Sequence, residues 1–177
     1  MIYLFASDIH GSSTATQRLL DILQSTQADK LILLGDLLYH GPRNALPEHY
    51  NPKTTSMLLN NVANHIINVR GNCDAEVDQQ MLAFPVLNES AWMHIDGLDL
   101  FLHHGHKELP PLPSGTIIVS GHTHIPLLES RNGFYYLNPG SVSLPKEGNV
   151  PSYALLEGRT FTVRRLDDEE ILMSLTM

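Results

Sequence analysis

Aspartate, asparagine and histidine recur in five short clusters, each of which contains or adjoins a glycine. The clusters read Ser7-Asp8-Ile9-His10, Gly35-Asp36, Gly71-Asn72-Cys73-Asp74, His103-His104-Gly105-His106 and Gly121-His122-Thr123-His124. Carboxylate, amide oxygen and imidazole together form a ligand set that suits Mn²⁺, Zn²⁺ or Fe²⁺. The chain has a single cysteine, Cys73, so a cysteine-rich structural zinc site is excluded.

Seven side chains from these clusters form one candidate ligand set. They are Asp8, His10, Asp36, Asn72, His104, His122 and His124. Seven ligands exceed what one tetrahedral ion takes, and they suit two ions that share a bridging carboxylate roughly 3.5–4 Å apart. A single Gly-Asp pair more often marks only a turn, so the prediction depends on the five clusters occurring together.

Short apolar runs precede the first three clusters and indicate the elements that position them. The runs predict buried strands at residues 2–6, 31–34 and 66–69. Between them, one helix is predicted from the caps at Ser12 to Thr14 as far as Gln27. A second helix is predicted to start at Pro52, with its inner face formed by Met57, Leu58, Val62 and Ile66. This β-α-β alternation predicts a parallel sheet, and ligands bind at the carboxyl ends of such strands.

The second half of the sequence favours short strands joined by tight turns. Strands are predicted at residues 92–95, 98–102, 116–119, 134–137, 153–156 and 160–166. Two of these runs end directly before the histidine clusters, and alternation along the chain puts His104 and His106 on one side and His103 on the other. The pattern predicts a second, partly antiparallel sheet packed on the first, within a single domain that spans residues 1–177.

Composition limits the partners of the protein. With 177 residues, 42% of them hydrophobic and 17% charged, the chain has the composition of a globular protein. Its net charge of −8 argues against a broad surface for extended nucleic acid, which must neutralise many phosphates. No run reaches the length of a membrane span and no signal-peptide pattern occurs, so we expect a cytoplasmic protein. Exposed strands in the second half would allow a homo-oligomer.

The order of the five clusters resembles that of the calcineurin-like metallophosphoesterase superfamily over almost the whole chain. The segments 40–47, 70–74 and 138–141 look closest to small bacterial phosphodiesterases of this superfamily. The resemblance implies an α/β fold, a four-layer α-β-β-α sandwich of two mixed sheets. It also implies two divalent ions, with Mn²⁺ favoured over Zn²⁺, Fe²⁺ or Ni²⁺. Asp8, His10 and His124 would hold one ion, Asn72, His104 and His122 the other, and Asp36 would bridge both.

The function implied is hydrolysis of small phosphodiesters by a metal-bridging hydroxide, without a covalent intermediate. A phosphomonoesterase or a nucleotide pyrophosphatase on the same site is an alternative, because the loops choose the substrate. A non-catalytic scaffold is the alternative from another class, since a eukaryotic trafficking-coat subunit resembles this fold. The complete set of seven competent ligands favours an enzyme.

Cys73 departs from the superfamily pattern, because many relatives have a histidine there that is thought to protonate the leaving group. Cys73 would be a nucleophile or a residue that shapes the pocket, and His106 or water would supply the proton. A missing imidazole predicts a preference for good leaving groups, such as aryl esters. Asp74 is grouped with Cys73 and His106 as a candidate catalytic residue, through a hydrogen bond that would orient a ligand. Arg43 and His40 are candidates for substrate binding, with a structural role for Arg43 as the alternative.

Overall fold

The computed structural model describes residues 1–177, which form eleven strands and three α-helices. The strands are β1 (Ile2–Ala6), β2 (Lys30–Leu33), β3 (Ile66–Asn68), β4 (Ser90–Ile95), β5 (Leu98–His103), β6 (Ile117–Val119), β7 (Leu127–Arg131), β8 (Phe134–Asn138), β9 (Ser152–Glu157), β10 (Thr160–Arg165) and β11 (Ile171–Thr176). The helices are α1 (Ser13–Ser25), α2 (Pro52–Asn60) and α3 (Asp78–Met81). All nine predicted strands are present, with ends shifted by at most two residues.

The strands form two mixed sheets. The first has the order β11-β10-β9-β1-β2-β3 and the second the order β4-β5-β6-β8-β7. β1, β2 and β3 are parallel and in level register, because Ala6 pairs with Leu33 and Leu33 with Asn68. In the second sheet, Leu102 pairs with Val119 in the same way. The segments that follow these strands therefore start at the same edge of each sheet.

Two apolar clusters separate the layers. One lies between the helices and the first sheet and joins Leu19 and Ile22 of α1 to Leu4 and Leu31 of the strands. The other lies between the two sheets, where residues such as Phe5 and Leu100 are buried. Alternation along each strand sends successive side chains to opposite faces, so β1 and β2 contribute to both clusters. The predicted α/β sandwich of two mixed sheets is confirmed.

The inner face predicted for the second helix is wrong. Met57 is exposed, whereas Thr55, Ser56 and Leu59 are buried. The helix is nine residues long, capped by the side chain of Asn51, and it ends before Val62 and Ile66, which belong to later segments. The predicted face was wrong because the apolar spacing included residues beyond the end of the helix. None of the helices combines the length and apolar character that crossing a membrane requires.

The outer face of the second sheet is covered differently from that of the first. The parallel strands β5 and β6 are joined by a connection without a helix, in which Pro110, Pro111 and Pro113 occur. Proline lacks the N–H that a helix interior needs, so this segment cannot continue as a helix. Leu109 of this connection lines a shallow cavity with Ile118 and Tyr136. The fourth layer is therefore a loop, and all the helices lie in the first half of the chain.

Candidate metal centre

The ends of strands β1, β2, β5 and β6 bring five of the predicted ligands into one buried cluster. Asp8 and His10 follow β1, Asp36 follows β2, His104 follows β5 and His124 follows β6. All five are almost inaccessible to solvent. Their ring nitrogens and carboxylate oxygens form interlocking groups in which the ligand atoms lie within 4.8 Å of one another.

The first group consists of Asp8, His10 and His124. Asp8 Oδ1 lies 3.3 Å from His124 Nε2 and 3.7 Å from His10 Nε2. The two imidazole Nε2 atoms are themselves 3.3 Å apart. Three ligand atoms thus face a common point at the end of β1.

The second group consists of Asp36, His104 and Asn72, and it adjoins the first. Asp36 Oδ2 lies 3.5 Å from His104 Nε2, and Asn72 Oδ1 lies 3.1 Å from the same nitrogen. Asp36 Oδ2 is also 3.7 Å from His10 Nε2, so this carboxylate stands between the two groups. This position is the one that a bridging ligand requires.

Backbone carbonyls orient three of the imidazoles. His10 Nδ1 donates to Tyr39 O at 2.8 Å, and His104 Nδ1 donates to Leu34 O at 2.6 Å. His124 Nδ1 donates to Leu144 O at 2.5 Å. Because Nδ1 carries the proton in the neutral form of each imidazole, the Nε2 of that form presents a lone pair to the cluster. Such outer contacts are how proteins fix the tautomer of a metal-binding histidine.

The cluster fits divalent cations. Asp8 Oδ1 is buried and accepts no hydrogen bond. The Nε2 lone pairs of His10 and His124 face each other, and neither can donate while Nδ1 holds its proton. Uncompensated acceptors in a buried site are costly, and a cation between them satisfies all of them at once. Oxygen and nitrogen donors of this kind suit Mn²⁺ and related ions.

His122 occupies the open side of the cluster. Its backbone N–H donates to Asp8 Oδ2 at 2.9 Å, and its ring lies 5.1 Å from that of His104 between centroids. His122 also lines the cavity in front of the cluster, together with Asn72. All seven predicted ligands therefore meet beyond the carboxyl ends of parallel strands from both sheets.

Opposite charges inside the cluster control its protonation. Burial would raise the pKa of Asp8, but the facing imidazoles of His10 and His124 hold it well below its usual range. Burial would lower the pKa of His104, but the facing carboxylates of Asp36 and Asp8 raise it to about 9. Protons and metal ions therefore compete for the same nitrogen lone pairs.

The backbone is strained at five of the seven predicted ligands. Asp8, His10, Asp36, His122 and His124 all have positive φ, between 49° and 66°. This region costs a residue with a side chain about 1–2 kcal/mol, and such strain is concentrated at functional sites. The surrounding hydrogen bonds must hold these residues in place.

Two glycines permit the close approach of the ligand segments. A Cβ on Gly71 would lie 2.1 Å from Asp36 Oδ1, and a Cβ on Gly121 would lie 1.9 Å from Ser7 Oγ. Neither has a positive φ, so the requirement is space rather than conformation. The Gly-Asn and Gly-His pairs of the sequence thus have a steric reason.

Asp74 braces the strand ends and does not reach the ligand cluster. Its carboxylate accepts from the backbone N–H groups of Asp36 at 2.9 Å, Leu37 at 2.8 Å and Gly71 at 2.7 Å. Burial raises the pKa of Asp74 to about 6, against the lowering effect of these hydrogen bonds. Its place in the structure is that of a positioning residue, whereas it was predicted among catalytic residues.

Two serines that the sequence analysis did not single out hold the first strand end. Ser141 Oγ donates to Asp8 O at 2.7 Å, and Ser143 Oγ donates to Ile9 O at 2.8 Å. Asn138 Nδ2 donates to Gly121 O at 2.7 Å and fixes the loop that carries His122. The signal that could have found Asn138 and Ser141 is the segment 138–141, which the resemblance used without a role for its residues.

A cavity of about 880 Å³ opens in front of the cluster. Arg43 lines it, and so does Lys146, which the sequence analysis missed. His40 is not in its lining, since its ring lies between those of Tyr39 and Tyr50 at 4.8 and 5.2 Å between centroids.

Cys73 and His106, the two candidates for proton transfer, border the cluster in different ways. Cys73 lines the cavity, and its thiol accepts from Asn72 Nδ2 at 3.2 Å. Burial, with the nearby charge of Asp36, raises the pKa of this thiol to about 12, so a nucleophilic thiolate is scarce near neutral pH. The ring of His106 lies 5.4 Å from that of His104 between centroids, and burial lowers its pKa.

This fold and ligand cluster define a class of protein, and sequence comparison gives the same class. Residues 1–160 match the profile of the calcineurin-like phosphoesterase superfamily domain. The chain belongs to this superfamily.

Particular relatives are similar over almost the full length. Phosphodiesterase YfcE of Escherichia coli strain K12 is 47% identical over 176 residues, covering 97% of this chain and 96% of the relative. The solved structure of Yfce, a phosphoesterase from E. coli, superimposes with a TM-score of 0.97 at 46% identity and covers 99% of both chains. Vps29 of Entamoeba histolytica, solved with Zn²⁺, has a TM-score of 0.68 at 24% identity over 99% of both chains, a likeness of fold alone.

Proposed function

We propose that this chain hydrolyses small phosphodiesters at a pair of divalent metal ions. The observation that carries the proposal is the buried cluster of carboxylate and imidazole groups whose lone pairs face one another without a protein donor. The similarity to a relative described as a phosphodiesterase supports the same reaction. Both halves of the chain supply ligands, which supports a single domain over residues 1–177.

We assign the seven predicted ligands to two ions. Asp8, His10 and His124 would hold one ion, Asn72, His104 and His122 would hold the other, and Asp36 would bridge them, as its short distances to His104 and His10 support. Mn²⁺ is the proposed ion, with Zn²⁺, Fe²⁺ or Ni²⁺ as alternatives. When bound, two such ions supply a hydroxide nucleophile at neutral pH and neutralise charge on the phosphate.

The other residues of the cavity bind and orient the substrate. The guanidinium of Arg43 can donate two parallel hydrogen bonds to phosphate oxygens, and Lys146 adds a second positive charge to the same cavity. Cys73 shapes the pocket as a neutral thiol. His106 is the remaining side-chain candidate for protonating the leaving oxygen, with water as the alternative. Esters with acidic leaving groups, such as aryl esters, therefore react best.

Metal analysis and two substrates test the proposal. The purified protein is expected to bind two ions per chain, and Mn²⁺ is expected to restore activity after chelation. The value of kcat/KM is expected to be higher for bis(4-nitrophenyl) phosphate than for 4-nitrophenyl phosphate. A higher value for the monoester would favour a phosphomonoesterase. No bound metal and no turnover with any divalent ion would contradict an enzymatic function.

A further inference from the structure

A second cavity, here called the apolar cavity, adjoins the cavity in front of the metal centre. It measures about 420 Å³ and lies among Tyr39, Tyr50, Val77 and Met81. Tyr39, Val77 and Met81 are three of the nine large hydrophobic residues that are exposed in the whole chain. Such a local concentration of exposed apolar side chains marks a binding surface.

The two cavities adjoin along a shared wall. Tyr39, Cys73 and Ala75 line both of them. The backbone of Tyr39 also accepts the hydrogen bond from His10 Nδ1 at 2.8 Å, so the wall of the apolar cavity is tied to a predicted ligand. A phosphate group at the metal centre therefore has an apolar space on one side and the charges of Arg43 and Lys146 elsewhere in the same cavity.

The walls of the apolar cavity are anchored before any ligand binds. The segment before α2 is held to the start of α1, since Asn51 N–H donates to Gly11 O at 2.8 Å. The ring of Tyr50 sits so close to Gly11 that an added Cβ there would lie 2.7 Å from it. On the other side, Asp78 Oδ2 accepts from Ala75 N–H at 2.8 Å and fixes the start of α3. A preformed cavity spares the ligand the entropic cost of ordering loops.

We propose that the apolar cavity binds an aromatic ester substituent of the phosphodiester substrate. The inference rests on the proposed function, which puts the phosphate at the metal centre. Tyr39 and Tyr50 offer ring faces and edges to such a group, and Val77 and Met81 cover it with apolar surface. These four side chains determine which diesters bind well, while the metal centre performs the same reaction on all of them.

Binding of two phosphonates distinguishes the contribution of this cavity from that of the metal centre. Phenylphosphonate and methylphosphonate carry the same anionic group and differ in one substituent, and calorimetry with the Mn²⁺-loaded protein measures their binding without turnover. Burial of one aromatic ring predicts about tenfold tighter binding of phenylphosphonate. In Val77→Ser and Met81→Ser this ratio is expected to fall to about threefold or less.

Met57→Ser is the matched control. Met57 is exposed on α2 and lines neither cavity, so the ratio is expected to stay at the wild-type value in this variant. Thermal unfolding verifies that all three variants fold. Equal binding of the two phosphonates would overturn the role proposed for the apolar cavity and leave the proposed function intact. A ratio of affinities that Val77→Ser and Met81→Ser leave unchanged would have the same consequence. Failure of both phosphonates to bind would contradict the proposed function as well.

Discussion

The metal centre and the apolar cavity share a wall, yet they are built in opposite ways. In the metal centre, five of the seven ligand side chains are buried, the backbone is strained, and carbonyls fix three of the four imidazoles. In the apolar cavity, side chains such as Val77 and Met81 are exposed. The difference indicates that the chemistry is fixed by the scaffold, while substrate choice lies in side chains that can be replaced without loss of the fold.

Removing the carboxylate between the two ligand groups should have the largest effect. Asp36→Asn is expected to lower kcat/KM for an activated diester by about 10³-fold or more, because a neutral amide cannot bridge two cations. Metal content, measured by mass spectrometry, is expected to fall in parallel. Asp167→Asn, in an exposed acidic turn, is the control and should keep wild-type activity. If the Asp36→Asn protein bound two ions and kept the wild-type rate, the bridging role of this carboxylate would be contradicted.

Crowding the backbone of the metal centre should have an intermediate effect. In Gly121→Ala the new Cβ meets Ser7 Oγ and comes within 2.9 Å of Asp8 Oδ2. Overpacking of this kind costs about 1–3 kcal/mol of stability, and we expect about a 10–100-fold loss of activity from displaced ligands. Urea unfolding measures the loss of stability, and hydrolysis of an activated diester measures the loss of activity.

Gly97→Ala provides the contrast for that variant. Gly97 has a positive φ but open space around it, in a turn at the far end of a hairpin. The Gly97→Ala protein should lose about 1 kcal/mol of stability and none of the activity. Equal activity losses in both glycine variants would show that the metal centre is no more sensitive to backbone position than a surface turn.

Substitution of Cys73, which lies on the wall shared by the two cavities, should have the smallest effect. Cys73→Ser is expected to keep kcat/KM for an activated diester within about threefold of wild type, because a neutral hydroxyl replaces a neutral thiol of similar size. Cys73→Ala should also remain active, with a modest change that reflects the altered pocket. Loss of all activity in both variants would instead identify Cys73 as a nucleophile.

Much of the scaffold could be predicted because its signals are local. Apolar runs located nine strands, and the polar clusters that follow five of these runs supplied the candidate ligands. β7 was missed although Asn132-Gly133, a strong hairpin turn signal, connects it to β8. β11 was missed because this edge strand alternates weakly between exposed and half-buried positions. The face of α2 was wrong because periodicity does not show where a short helix ends.

Other features depend on contacts that no local pattern contains. The brace of Asp74 on Asp36 and Leu37 joins residues more than thirty positions apart. Lys146 reaches the cavity from a turn whose sequence carries no motif. His40 looked like a substrate contact from its neighbours in sequence, but aromatic packing with Tyr39 and Tyr50 takes its ring out of the cavity lining.

The sequence by itself determined the candidate ligand set, because donor chemistry follows from residue type and the clusters follow apolar strands. Only the tertiary structure decided the groups into which the donors assemble, the tautomer that each imidazole holds, and the presence of an apolar cavity beside them. These are matters of distance between segments far apart in the chain. Level strand ends and close packing at glycine set those distances.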